Sequence, residues 1–187
     1  MDALEALVTR VSPKEIGEPA PDEAALRKIF AAALRAPDHG RLRPWRFISI
    51  KGEGRHRLGE LLASSLMRRD PNANLDLLER ERQKALRAPL IVVVAAHISP
   101  SPKIPAVEQL LSAAAAAQNI MIASHALGFG AMWKTGEPAY DAHVKEALGL
   151  EAADEIAGFL YIGTRIAMPN PPAPLDPADF VRVWPAE

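Results

Sequence analysis

Leu90-Ile91-Val92-Val93-Val94-Ala95-Ala96, entered through Pro89, is an unbroken apolar run rich in β-branched residues. A run without polar alternation predicts a strand covered on both faces. Outward from it, the chain reads as helices and strands in irregular order. Before it, Trp45 to Lys51 alternates and is rich in aromatic and β-branched residues, which predicts a second strand. Between the two strands, residues 55–67 and 73–87 predict a pair of heavily charged helices, broken at Pro71 and forming a solvent-facing layer. After it, residues 106–127 predict the longest helix, small and apolar nearly all round. Such a helix is either a core helix or the contact with a second copy of the chain, and the pattern alone leaves both open.

The flanks fill in the rest. Residues 2–9 predict a short helix with Leu4, Leu7 and Val8 on one side. Residues 22–35 predict a helix capped by Asp22, with Leu26, Ile29, Phe30, Ala33 and Leu34 as its apolar stripe and Pro37 beyond its end. Residues 128–133 predict a short strand entered through glycines, residues 138–148 a helix, and residues 156–163 a further buried strand. Past Arg165 come Pro169, Pro171, Pro172, Pro174 and Pro177, which predict an extended arm, tipped by an alternating strand from Phe180 to Trp184. The expected fold is α+β, a central mixed β-sheet packed by helices, in one domain over residues 1–187, with residues 165–187 as an arm.

Composition narrows the function. At 187 residues, 49% apolar and 24% charged, the chain has the make-up of a globular domain. A net charge of −1 gives no global field for nucleic acid or an anionic membrane. Glu108, Gln109, Gln118, Asn119 and His125 interrupt the longest apolar stretch, so no membrane span is expected. Cysteine is absent, which removes disulfides and thiolate chemistry and accords with a reducing cytoplasm. The acidic N-terminus lacks a signal pattern, so a cytoplasmic location is expected. The five histidines show no metal-binding spacing, and neither G-x-S-x-G, a P-loop nor G-x-G-x-x-G is present. No metal site and no catalytic acid, base or nucleophile is assigned.

What remains are cations and small polar groups at element ends. Arg10 and Ser12 follow the first helix, and Arg35, Asp38 and His39 follow the second. Lys134 and Thr135 follow the glycine-flanked strand, and Arg165 follows the last core strand. Donors converging from separate elements suit a polyanionic ligand with a flat ring. Taken singly, Arg35 and Asp38 read equally as helix-end and cap chemistry, and His39 as a solvated loop residue.

These segments resemble the nitroreductase family, specifically its small single-domain NAD(P)H nitroreductases. The likeness spans essentially the whole chain: Arg10-Val11-Ser12, Arg35-Ala36-Pro37-Asp38-His39 running to Pro44-Trp45, and Arg87-Ala88-Pro89-Leu90. It continues with the long apolar helix, Gly128-Phe129-Gly130 leading to Trp133-Lys134-Thr135-Gly136, and Gly158-Phe159-Leu160-Tyr161-Ile162-Gly163-Thr164. The resemblance implies an intertwined homodimer, with the C-terminal arm reaching the partner and two FMN molecules at the interface. It assigns Arg10, Val11, Ser12, Arg35, His39, Trp133, Lys134 and Thr135 to FMN. Ala123, Ser124, His125, Ala126, Leu127 and Gly128 fall where these proteins contact NAD(P), and they read equally as core packing and helix capping. The family's first motif usually carries a second arginine where Val11 stands, which leaves Arg165 to compensate. The implied activity is ping-pong transfer of electrons from NAD(P)H, through FMN, to a nitroaromatic, quinone or similar acceptor. An FMN-binding module with little turnover is the alternative.

Overall fold

The structure is a computed structural model describing residues 1–100, 103–167 and 173–184. In chain order the elements are α1 (Ala3–Thr9), β1 (Ile16–Gly17), α2 (Glu23–Ala33), β2 (Trp45–Lys51), α3 (Glu53–Arg69) and α4 (Leu75–Lys84). They continue with β3 (Leu90–Ala96), α5 (Ala106–Ala126), β4 (Phe129–Lys134), α6 (Ala142–Ala147) and β5 (Glu155–Arg165), with short 3₁₀ turns at His39–Arg41, Glu137–Ala139 and Pro177–Asp179. Asp2 and Asp22 open α1 and α2 by accepting from Glu5 N at 2.8 Å and Ala25 N at 2.7 Å. No helix among the described residues is long and apolar enough to cross a membrane.

Every residue of β3 is buried, as its sequence requires. Its even-numbered residues join Leu26, Ile29 and Ala33 of α2 and Ala113, Ala116, Ala117 and Ile120 of α5. Its odd-numbered residues join Leu58 and Leu62 of α3 and Val144 of α6. The sheet is thus the middle of three layers, with α2 and α5 on one side and α3, α4 and α6 on the other.

The sheet is antiparallel throughout rather than mixed. The connections explain the difference. Between β2 and β3 the chain crosses the outer layer twice, through α3 and α4, and so returns in the opposite direction. A single crossover helix, α5, makes β3 and β4 run the same way, but β5 lies between them and pairs antiparallel with each. Residues 159–162 of β5 pair with both β3 and β4, so those two occupy its opposite edges. At the far end of β5, β1 pairs Ile16 with Arg165 and Gly17 with Thr164, on the edge away from β4. A register shift between Val94 and Ala95 leaves Ala157 as an extra residue in β5.

The expected terminal strand is not formed. Residues 181–184 have no strand structure, and Phe180, Val181, Val183 and Trp184 are all exposed. A strand needs a paired neighbour, and this segment pairs with none of the described strands. Pro169, Pro171 and Pro172 lie outside the described residues. The apolar side of α1 is exposed as well, with Leu4 at 75% and Val8 at 81%, and so are Val107 and Leu111 on α5.

Candidate functional site

A cation-lined cavity opens beside β1, β4 and β5, on the same side of the sheet as α3 and α4. It holds about 500 Å³ and is lined by Lys14, Glu15, Ile16, Arg87, Met132, Lys134, Tyr161 and Ile166. Lys14, Arg87 and Lys134 make no ion pair or hydrogen bond with the described residues. Glu15 is the only carboxylate in the lining. Three uncommitted cations beside an apolar floor of Ile16, Met132 and Ile166 suit a ligand that joins an anionic group to a flat ring. FMN has both parts, and this donor set fits it.

Alternation along β4 decides which predicted residues reach the cavity. Met132 and Lys134 line it, whereas Trp133 packs on the α2/α5 side. The Trp133 indole N–H donates to Ala157 O at 3.1 Å. The ring lies so close over Gly158 that a Cβ there would stand 2.0 Å from Trp133 Nε1. The Trp133 side chain therefore does not line the cavity. Thr135 lines a smaller neighbouring cavity of about 180 Å³, whose wall mixes Leu62, Leu66 and Phe159 with the charged Arg69, Glu81, Lys84 and Glu137.

Arg10 is half-buried and donates through Nη1 to Ser12 Oγ at 3.3 Å, which ties the first motif together. Val11 beside them is half-buried. Two residues on, the same segment supplies Lys14 to the cavity wall.

Arg165 is committed to holding the end of α5. Its Nε donates to Phe129 O at 2.9 Å, and its Nη2 donates to His125 O at 3.0 Å. Nη2 also lies 2.8 Å from His125 Nδ1. Thr9 Oγ1 spends its proton on Glu5 O at 2.6 Å, so toward His125 Nε2, at 2.9 Å, it can only accept. That fixes a neutral imidazole, protonated on Nε2, with Nδ1 accepting from Arg165. Burial lowers the His125 pKa below its ordinary value; Arg165 and Arg10 push the same way, and Glu5 opposes them. His125 is thus a neutral clamp between α1, α5 and β5. Of the segment expected to meet NAD(P), Ala123 is half-buried, and Ser124 is fully buried with its hydroxyl unpaired. Ala126, Leu127 and Gly128 are exposed and available to a nucleotide; Gly128 closes the helix at φ 91°.

Arg35 and His39 lie elsewhere. Asn119 Nδ2 donates to Ala32 O at 3.0 Å, Ser112 Oγ donates to Pro37 O at 2.7 Å, and His39 Nδ1 pairs with Glu108 Oε2 at 2.6 Å. The end of α2 thus runs along α5 toward the N-terminus of α5. Asp38 shapes the loop by accepting from Leu42 N at 3.1 Å and Arg43 N at 2.8 Å, which is the cap chemistry open to it from sequence. Arg35 is exposed, with no side-chain partner among the described residues. Glu108 and His125 mark the two ends: at about 1.5 Å per residue, the rise between them is about 25 Å. His39 thus stands at the opposite end of α5 from the His125 clamp, with Arg35 between them, beside the middle of the helix.

One cluster was not legible in the sequence. His97, Glu151 and Asp154 bring possible ligand atoms within 4.8 Å of one another. Asp154 is already engaged there: it pairs with His97 Nδ1 at 2.9 Å and accepts from Ile98 N at 3.2 Å and Glu151 N at 3.1 Å. Those bonds fasten the end of β3 to the loop before β5.

Residues 8–164 match the sequence profile of the Nitroreductase family. The chain is 39% identical to the Escherichia coli K12 protein named "Putative NAD(P)H nitroreductase YdjA" over 164 residues, 88% of each chain. Its fold is similar to a crystal structure of a nitroreductase-like family protein from Bacillus cereus, with TM-score 0.85, 23% identity, and coverage of 100% of this chain and 97% of that one. It is also similar to a Desulfovibrio desulfuricans structure described as a nitroreductase in complex with FMN, with TM-score 0.73, 23% identity, and coverage of 100% and 99%.

Proposed function

The chain belongs to the nitroreductase family, and from that premise we propose an FMN-dependent oxidoreductase that draws electrons from NAD(P)H and reduces nitroaromatics, quinones or similar acceptors. The observation that carries this reading is the cavity in which Lys14, Arg87 and Lys134, none of them ion-paired among the described residues, outnumber the single carboxylate, Glu15. When bound, FMN supplies the reversible two-electron chemistry, and the side chains bind, orient and tune. Lys14 and Arg87 hold the phosphate end, with Arg10 and Ser12 beside them. Lys134 places positive charge where the reduced ring gains negative charge. Leu62 and Leu66 of α3 wall the adjoining space in which the acceptor stacks. Donor and acceptor use that one opening in turn, so no separate dinucleotide fold is required.

The reading extends to a homodimer with shared sites. His39 stands at the far end of α5 from the His125 clamp, and Arg35 lies along the same helix. A two-fold partner running antiparallel along α5 brings its own Arg35 and His39 to the Arg10 end. The exposed Leu4, Val8, Val107 and Leu111 are apolar surface for that contact, and the arm ending in Trp184 reaches across it.

Anaerobic mixing of the purified protein with NADPH or NADH tests the function. A yellow protein whose flavin absorbance bleaches on mixing is expected. Bound flavin that stays oxidised with both donors contradicts the enzymatic reading, and a colourless protein that takes up no FMN contradicts the cofactor.

A further inference from the structure

The backbone around His39 is fixed from both sides. Before it, Ser112 Oγ donates to Pro37 O at 2.7 Å, and the Asp38 carboxylate accepts from Leu42 N at 3.1 Å and Arg43 N at 2.8 Å. After it, Gly40 stands at φ 70° against the buried Ile104, where a Cβ would lie 2.2 Å from Ile104 Cδ1. Gln109, itself 2% exposed, anchors that wall: its Nε2 donates to Ser99 O at 2.9 Å and Ile104 O at 3.3 Å, and its Oε1 accepts from Ser99 N at 2.9 Å. None of these bonds touches the imidazole. Among the described residues, the ring's hydrogen-bond partner is Glu108, whose Oε2 lies 2.6 Å from Nδ1.

That pair is a poor stabilising device. The His39 side chain is 62% exposed and that of Glu108 42%, and ion pairs in water contribute little to folding. What the pair does fix is the ring. A carboxylate only accepts, so Nδ1 carries a proton whether the imidazole is neutral or charged. Nε2 is then the atom left for a ligand, accepting when the ring is neutral and donating when it is charged. It has no partner among the described residues. A free neutral imidazole favours the opposite tautomer, with the proton on Nε2. Glu108 therefore sets both the direction of the ring and which nitrogen is presented.

We propose that Glu108 is a positioning residue for the shared cofactor site: it holds the His39 ring with Nδ1–H on its own carboxylate, so that Nε2 is free for FMN. This rests on the reading above that His39 serves FMN in the partner's site. It adds a residue that touches no cofactor and acts through His39.

Two measurements on the full-length protein test it. The first needs no flavin: nitrogen-15 shifts of the His39 ring in the apo-protein at pH about 8, above the range in which ordinary imidazoles are charged. The wild type shows the Nδ1–H tautomer, and Glu108→Ala shifts toward Nε2–H. A wild-type ring protonated on Nε2 overturns the proposal. The second is the dissociation constant for FMN, from quenching of flavin fluorescence, at concentrations where sedimentation shows every variant to be dimeric. Freeing one side chain that binding must then immobilise weakens FMN about two- to tenfold in Glu108→Ala. Glu108→Gln, which keeps an oxygen for Nδ1–H, recovers most of that loss. In a His39→Ala background the Glu108→Ala change has no further effect, because the ring it acts through is gone. Additive losses, a Glu108→Gln protein as weak as Glu108→Ala, or an unaltered FMN affinity in Glu108→Ala each overturn the role of Glu108 alone. A wild-type protein that binds no FMN overturns the cofactor reading itself, and His39→Ala at wild-type affinity overturns the assignment of His39.

Discussion

Leu111→Ala weakens the dimer by an amount the structure allows one to work out. Leu111 stands on α5 with 61% of its surface exposed, one turn after Val107 at 59%. Burying a whole leucine side chain contributes about 1.5–3 kcal/mol, so covering the part now exposed contributes about 1–2 kcal/mol. A two-fold interface contains the residue twice, which makes the loss about 2–4 kcal/mol per dimer. At about 1.4 kcal/mol per tenfold, the dissociation constant rises about 30-fold to several hundredfold. Sedimentation equilibrium over a dilution series measures it. Leu75→Ala is the control, because Leu75 is 81% exposed on α4, on the far side of the sheet, and its replacement leaves the constant unchanged. Flavin occupancy of Leu111→Ala falls over the same dilution range in which its dimers separate. An unchanged dissociation constant refutes α5 as the contact, and a dissociated protein that keeps its flavin refutes the shared site.

Acidification destabilises the protein through His125. Its folded pKa lies below the ordinary 6.5, so its stabilisation is intact above that value and is lost as pH falls toward the folded pKa, while the unfolded chain takes up the proton first. Arg165, Arg10 and Glu5 are the charged groups that bear on it, and His125→Gln, which cannot titrate, flattens this part of the dependence. Urea midpoints at pH about 5.5 and about 7.5 measure the difference, and an unaltered slope in the variant contradicts the neutral clamp. Gly158→Ala forces Trp133 off its seat, because the new Cβ would lie 2.0 Å from Nε1. The expected cost is about 1–3 kcal/mol with a red-shifted tryptophan emission, and an unperturbed spectrum and stability contradict that packing.

The elements that declare themselves locally were legible. The alternating apolar run of β2 has the bounds its pattern predicts, and α5 differs from its reading by one residue at the C-terminal end. β1 was not legible: it is two residues long and exists only because Ile16 and Gly17 pair with β5. The single helix expected over 138–148 is two pieces, since the Asp141 side chain accepts from His143 N at 2.8 Å and starts a new helix there. The antiparallel sheet was hidden because it depends on β5 inserting between β3 and β4, a long-range event with no local signature. At the site, Lys14 and Tyr161 were missed for the same reason: the cavity wall is assembled from three strands distant in sequence. Tyr161 did leave a trace, as the one hydroxyl-bearing residue within the otherwise apolar 156–163 run. Arg87 was part of the family likeness, but only the cavity gives it a task.

The central claim is that two copies of this chain build each cofactor site together. Arg10→Ala and Arg35→Ala each lower flavin retention as pure homodimers, because every site in either has lost one contributor. Unfolding the two together and refolding them as a mixture produces hybrid dimers in which one site carries both substitutions and the other carries neither. The account predicts that flavin binding at wild-type affinity returns in the hybrid fraction, read as flavin bound per isolated hybrid dimer. Hybrid dimers that bind no more flavin than their parents would contradict it.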